Sequence, residues 1–264
     1  MTILQQRLSA NLSFLFQEWS FLDRFAAAAD AGFTCVEFLF PYEFAADEVA
    51  RRLADNQLSV SVFNAPPGDW AGGERGLAAL PERTAEFRAG IQAALDYAAV
   101  MPARRLHVMA GIAEPHDPQA MAAYWNNIDW AADMACDHGV EVLVEPINTQ
   151  DMPGYFLRDF GQALELIEAL PENRLGLQYD IYHACKMGYP VLGHLETLLP
   201  ITTHVQIAGV PDRHEPSSES LPLREIFALF DRARYPGRVG CEYRPAAGAV
   251  EGLIWVREAE GVAE

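Results

Sequence analysis

Hydrophobic and polar positions alternate along this chain in a coarse rhythm. Short apolar, β-branched or aromatic runs are followed by longer stretches with helical spacing. The runs predict strands at Leu8–Leu12, Cys35–Phe40, Ser59–Asn64, Arg105–Met109, Glu141–Glu145, Leu175–Asp180, Thr203–Ile207 and Arg238–Glu242. Helices are predicted over Phe21–Ala31, Ala46–Asn56, Pro81–Val100, Pro118–His138, Asp159–Leu170 and Leu223–Arg234. Their ends carry chemical signals. An alanine run stops at Gly32, which is free to take the left-handed conformation of a helix C-terminus. Pro118 sits in a first turn, where no amide proton is needed, and Asp159 offers a carboxylate to the free amides of the next helix.

Eight strands in 264 residues leave 33 residues per unit (264/8), close to the length of one βαβ repeat. Strands that read as continuous apolar runs are buried on both faces, which implies a parallel sheet, and eight repeats close it into an α/β (β/α)8 TIM barrel. An open doubly wound sheet is the competing architecture. It prefers a G-x-G-x-x-G turn after the first strand, and none is found there. No low-complexity tract or Pro/Ser-rich linker divides the sequence, so residues 1–264 are expected to form a single domain.

In such a barrel every strand points the same way, and polar residues at the strands' C-terminal ends meet at one mouth. Here the fifth strand ends in Glu145, the sixth in Asp180 and the eighth in Glu242, and the seventh carries Gln206. A carboxylate in an apolar strand costs several kcal/mol unless something pairs with it, roughly 3–5 if a partner is removed. Three carboxylates and an amide oxygen make a hard-oxygen cage that a divalent cation would neutralise, Mg²⁺ or Mn²⁺ rather than a zinc ion seeking His or Cys.

Composition narrows the function classes. There are 19 basic and 37 acidic side chains, a formal charge of −18, and seven histidines. A nucleic-acid surface needs dense Lys and Arg, so no nucleic-acid partner is expected. No apolar run approaches the roughly 20 residues of a membrane span. The N-terminal MTILQQRLSANLSF lacks the basic start and apolar core of a secretory signal, and the expectation is a cytoplasmic protein. Cys35, Cys136, Cys185 and Cys241 are dispersed with no CxxC pair, as expected of reduced core thiols.

The segments GFTCVEFLFPYE, FNAPPGDWAGGERGLAALPER, LVEPINTQDMPGYFL, LQYDIYHA, HVQIAGVPDRHEP and GCEYRP resemble the hydroxypyruvate isomerase family, one branch of the xylose-isomerase-like TIM barrels with a sister branch acting on 2-oxo-tetronates. The resemblance runs from about Leu8 to the last strand. It implies an isomerase of carbohydrate-acid and glyoxylate metabolism that converts hydroxypyruvate to 2-hydroxy-3-oxopropanoate through an enediolate. The alternative is a 2-oxo-tetronate or other small sugar-acid isomerase or epimerase. It also implies metal ligands at Glu145, Asp180, Gln206 and Glu242, with Glu145 and Glu242 as the proton donor and acceptor. His183, Arg213, His214 and His107 are the candidate substrate contacts, Arg213 because a guanidinium binds a carboxylate through two hydrogen bonds. Glu37 is a candidate support for the metal ligands from the second strand. The loop Ala65–Gly76 is either a lid closed by Trp70 or a rigid surface loop.

Two stretches depart from the family. SSESLPLREIF replaces a Gly-rich run after HEP, and MGYPVLGHLETLLP replaces a more charged helix. The first bears on which acid is taken more than on the fold. Two rival readings carry less support. A zinc phosphodiesterase of the endonuclease IV type would need more histidine and a basic surface. A non-catalytic sugar-acid binding protein would be expected to lose a proton-handling carboxylate. Assembly as a homo-oligomer is compatible with the sequence.

Overall fold

The computed structural model describes residues 6–171 and 174–260. The first five residues, part of the stretch read above for a secretory signal, lie outside it. All eight predicted strands are present: β1 (Leu8–Asn11), β2 (Cys35–Phe38), β3 (Ser59–Asn64), β4 (Arg105–His107), β5 (Glu141–Val144), β6 (Leu175–Asp180), β7 (Thr202–Ile207) and β8 (Val239–Cys241). They are ordered consecutively in a closed parallel barrel, β1 joining β8.

The helices are α1 (Arg24–Asp30), α2 (Ala46–Asp55), α3 (Thr84–Val100), α4 (Pro118–Asp137), α5 (Phe160–Ala169), α6 (Ile181–Lys186), α7 (Val191–Leu198), α8 (Leu223–Ala233) and α9 (Trp255–Glu260). Two predicted starts are shorter than expected, because Phe21–Asp23 and Pro81–Arg83 form 3-10 turns ahead of α1 and α3. The predicted caps are in place. Asp117 accepts from the Gln119 amide ahead of Pro118, and Asp159 accepts from Gln162. Gly32 and Gly139 follow their helices at φ 94° and 67°, the left-handed region. In α3 the buried residues Phe87, Ile91, Ala94, Leu95 and Ala98 keep helical spacing and supply its packed face.

Contacts gather the chain into two compact units. The first comprises residues 1–38, 51–61 and 179–264 and holds β1, β2, β7 and β8. Its register sets Asn11 beside Glu37, Ser9 beside Gly240, and Gln206 beside Gly240. Along β2, Val36 and Phe38 alternate with Glu37. Phe38 packs its ring on Phe21 and Phe25, so by the two-residue period of a strand Glu37 faces the other way, into the sheet interior. The second unit comprises residues 39–50 and 62–178 and holds the second half of β3, all of β4 and β5, and most of β6. There Asn64 lies beside His107, and Val144 beside Leu177.

The cysteines are free thiols, with Cys35 and Cys241 buried. Cys136 corrects the expectation of core thiols. It is exposed because it falls on the outer face of α4, whose inner face is carried by Tyr124, Ile128, Ala131 and Ala135. Among the described residues, no helix is long and apolar enough to cross a membrane.

Candidate functional site

The polar residues buried in the first unit concentrate at one end of its strands. Asp180, the last residue of β6, is 1% exposed and does double service. Its Oδ1 accepts the Tyr182 amide at 2.7 Å, capping α6, while Oδ2 lies 3.2 Å from Arg213 Nη2 and 3.5 Å from His183 Nε2. Glu242 follows β8, and its Oε1 lies 3.3 Å from the same Arg213 Nη2. Burial pushes the Glu242 carboxyl up to about 8, opposed by Arg213 and reinforced by the negative charges of Asp180 and Glu37. The same desolvation raises Asp180, against the Arg213 guanidinium and the backbone amides of Tyr182 and His183. Two neighbouring carboxyls that resist ionisation together are what a cation would relieve.

Arg213 is held with unusual care. Its backbone is left-handed (φ 59°), and its guanidinium lies 4.9 Å from the Tyr182 ring centroid and 5.1 Å from that of Phe14. Two aromatic faces and two carboxylates fix the plane of the group, an arrangement suited to arginine and not to lysine. The loop that carries it is stitched to the segment after β8: the Arg244 amide donates to the Arg213 carbonyl, and His214 Nδ1 meets the Arg244 carbonyl at 2.8 Å. His214, expected to touch substrate, engages its Nδ1 between the two loops.

Beneath these groups lies Glu37, 1% exposed. Its Oε1 accepts from Gln206 Nε2 at 2.9 Å and Asn11 Nδ2 at 3.1 Å, and its Oε2 from Ser61 Oγ at 3.1 Å, with His204 Nε2 at 2.8 Å. The carboxylate reaches from β2 to β7 over the bare backbone of Gly240 on β8. A Cβ on Gly240 would stand 2.3 Å from Glu37 Oε1.

In the second unit, Glu145 follows β5 and is also buried. Its Oε2 accepts from Gln178 Nε2 at 3.0 Å and lies 3.5 Å from His107 Nε2. Glu145 here, and Asp180 and His183 in the first unit, are all buried and each offers an atom of the kind that ligates a metal ion. The expected quartet of Glu145, Asp180, Gln206 and Glu242 overlaps this group in two members. Gln178 and His204 went unremarked in the sequence. A signal was there, since each lies two residues before a ligand candidate on the same strand and therefore on the same face.

The Ala65–Gly76 loop is heavily tied. Glu74 Oε2 takes the Asp69 amide, Arg83 pairs with Glu74, and Asp69 takes the Gly72 amide. Trp70 is packed between Phe40 and the Arg75 guanidinium. These ties favour the rigid alternative over the lid.

Residues 25–259 match the family model described as "Xylose isomerase-like TIM barrel". The chain is 49% identical over 255 residues to the 2-oxo-tetronate isomerase of Cupriavidus necator, covering 95% of this chain and 97% of that protein. It is 39% identical over 252 residues to the hydroxypyruvate isomerase of Escherichia coli, covering 95% and 98%. The chain belongs to the hydroxypyruvate isomerase family. This family member is an isomerase, as are both of those relatives by name. A solved structure from Brucella melitensis described as "AP endonuclease, family 2" is 44% identical, with a TM-score of 0.92 over 96% of this chain and 98% of that one. A D-psicose 3-epimerase from Clostridium cellulolyticum is similar in fold alone, at 16% identity and a TM-score of 0.74, covering 98% of this family member and 93% of the epimerase.

Proposed function

We propose that this chain interconverts a short 2-keto-3-hydroxy acid with its 3-keto-2-hydroxy isomer in the cytoplasm. The reaction takes a proton from C3 and returns one to C2, and the hydroxyl proton moves in the same sense, from the C3 oxygen to the C2 oxygen. Hydroxypyruvate and 2-oxo-tetronate share this C1–C3 unit and differ only in the hydroxymethyl group beyond it. The 49% identity to the Cupriavidus necator protein, against 39% to the Escherichia coli one, favours the four-carbon acid.

The observation that carries the reading is the pair Asp180 and Glu242, buried at the ends of β6 and β8 and bridged by one arginine. Their donor set fits a hard divalent cation, Mg²⁺ or Mn²⁺. Glu145, Asp180, Gln206 and Glu242 would hold it, with His183 as the alternative fourth donor. Such an ion, when bound, supplies Lewis-acid stabilisation of the negative charge that develops on the substrate oxygens. Glu145 and Glu242 carry the transferred proton. Gln178 and His107 orient the Glu145 carboxylate from one side. Arg213 turns its guanidinium to the substrate carboxylate, and the two rings beside it keep it from swinging to solvent. His183 contacts a substrate oxygen. The strong acidity of the chain argues against a nucleic acid, and Arg213 supplies positive charge locally for a small carboxylate.

The test is deuterium exchange followed by NMR. Metal-depleted protein given back Mg²⁺ or Mn²⁺ is incubated in D2O with each acid in turn. Solvent deuterium enters the C–H positions of the true substrate, and Glu242→Gln abolishes exchange with an unchanged circular dichroism spectrum. Exchange at the parental rate in that variant overturns the mechanism. Pulsed EPR on the Mn²⁺ form chooses the fourth donor, since an imidazole ligand gives a directly coordinated nitrogen signal and an amide oxygen does not.

A further inference from the structure

We infer that Glu37 is a positioning residue for the metal centre, acting through the side-chain amide of Gln206. The inference rests on the reading of Gln206 as a ligand. A primary amide has two arms of opposite character, and only the oxygen arm can hold a hard cation. A glutamine free to turn would present the wrong arm for part of the time. Here Nε2 donates to Glu37 Oε1 at 2.9 Å, which fixes the flip and points the oxygen arm away from Glu37.

Glu37 is itself immobilised. Asn11, Ser61 and His204 approach it from three strands or strand neighbours, at 3.1, 3.1 and 2.8 Å. His204 is fully buried, and its place two residues before Gln206 on β7 puts both side chains on the face that Glu37 reaches. Gly240 keeps the path clear, because a side chain there would collide with the carboxylate. A buried carboxylate with so many donors is costly to assemble for packing alone, whereas as the orienting partner of a ligand it has a defined task. Glu37 touches neither substrate nor reacting atoms, so its effect is on how tightly and in what geometry the ion is held.

The experiment measures Mn²⁺ affinity by EPR on metal-depleted protein, with no substrate present. Glu37→Gln is expected to weaken binding roughly 10- to 100-fold, the usual consequence of losing a ligand's orienting partner. Gln206→Ala should weaken it at least as much, and adding Glu37→Gln to Gln206→Ala should cost little more. Unchanged affinity in Glu37→Gln, or full additivity of the two substitutions, overturns the inference. If Glu37→Gln fails to fold, His204 poses the same question. His204→Gln keeps a donor toward Glu37 and should stay within about twofold of the parent, and His204→Leu should fall with the Glu37 variant. Equal affinities in those two variants also overturn it. A parental chain that binds no Mn²⁺, or a Gln206→Ala variant that binds it normally, instead overturns the ligand reading and this inference with it.

Discussion

Removing one buried ionisable group should make the metal-free protein more stable at neutral pH. The perturbation is Glu242→Gln, which keeps the shape of the side chain and removes its ionisation. In the folded chain burial lifts this carboxyl to about 8 from an unperturbed 4.5. A group whose folded pKa is raised contributes stability in full below its unfolded pKa and loses it as pH climbs toward the folded value. The affected window is therefore pH 4.5 to 8. By pH 7 the unfolded chain has released this proton and the folded chain still holds it, a gap of 2.5 pH units (7 − 4.5) worth about 3 kcal/mol. Glutamine does not feel this gap. In EDTA at pH 7 the variant should melt higher than the parent by about 10 °C, at roughly 2–4 °C per kcal/mol for a chain of this size. At pH 4.5 the two curves should meet. Saturating Mn²⁺ should reverse the order at pH 7, because the ion stabilises only the parent's ionised carboxylate. Scanning calorimetry from pH 4.5 to 8 reads all three conditions. Parent and variant curves that run parallel across the window would refute the argument.

Other expectations are more local. Arg213→Met should raise KM for the acid by about 100-fold with a smaller effect on kcat, the result of losing a bidentate charged contact worth about 3 kcal/mol, read from steady-state rates. Gly76→Ala should lower the melting temperature strongly, since a Cβ there would stand 2.2 Å from the Met109 carbonyl oxygen at a left-handed φ of 108°. A melting curve within a degree of the parent would contradict that geometry. Ellman's reagent should titrate Cys136 rapidly, Cys185 slowly because burial pushes its thiol up to about 11, and Cys35 and Cys241 only in guanidinium.

The strands were legible because each is an apolar run interrupted by a polar residue at or near its end, a pattern that packing alone rarely makes. The helix ends at Gly32, Pro118 and Asp159 were legible for the same reason, as local backbone chemistry. Three helices left no such trace. α6 begins directly after Asp180, so the residue that ends a strand also caps a helix, and no spacer marks the change. α7 carries Gly193 and lies just before Pro200, which masks its propensity. α9 is only six residues long, too short to establish a period. At the site, Glu145, Asp180 and Glu242 could be read from their strand ends. The partner of Gln206 could not, because Glu37 precedes it by 169 residues and their meeting depends on a glycine on a third strand. His214 holds a tie of the same hidden kind: nothing in the sequence signals that its Nδ1 meets the Arg244 carbonyl, 30 residues further along the chain.

The stitching of the Arg213 loop to the segment after β8 has a bearing on how such a barrel can be re-engineered. Gly209 sits against the Glu215 carbonyl with no space for a side chain, Gly209 and His214 are bonded through their backbones, and Glu215 takes the Ala246 amide. Residues 209–215 and 244–246 therefore travel as one cassette. A chimera that imports either piece alone would arrive with unmatched donors, whereas the stretch from Ser217 to Leu221, outside these ties, is where new specificity can be grafted at least cost to the frame.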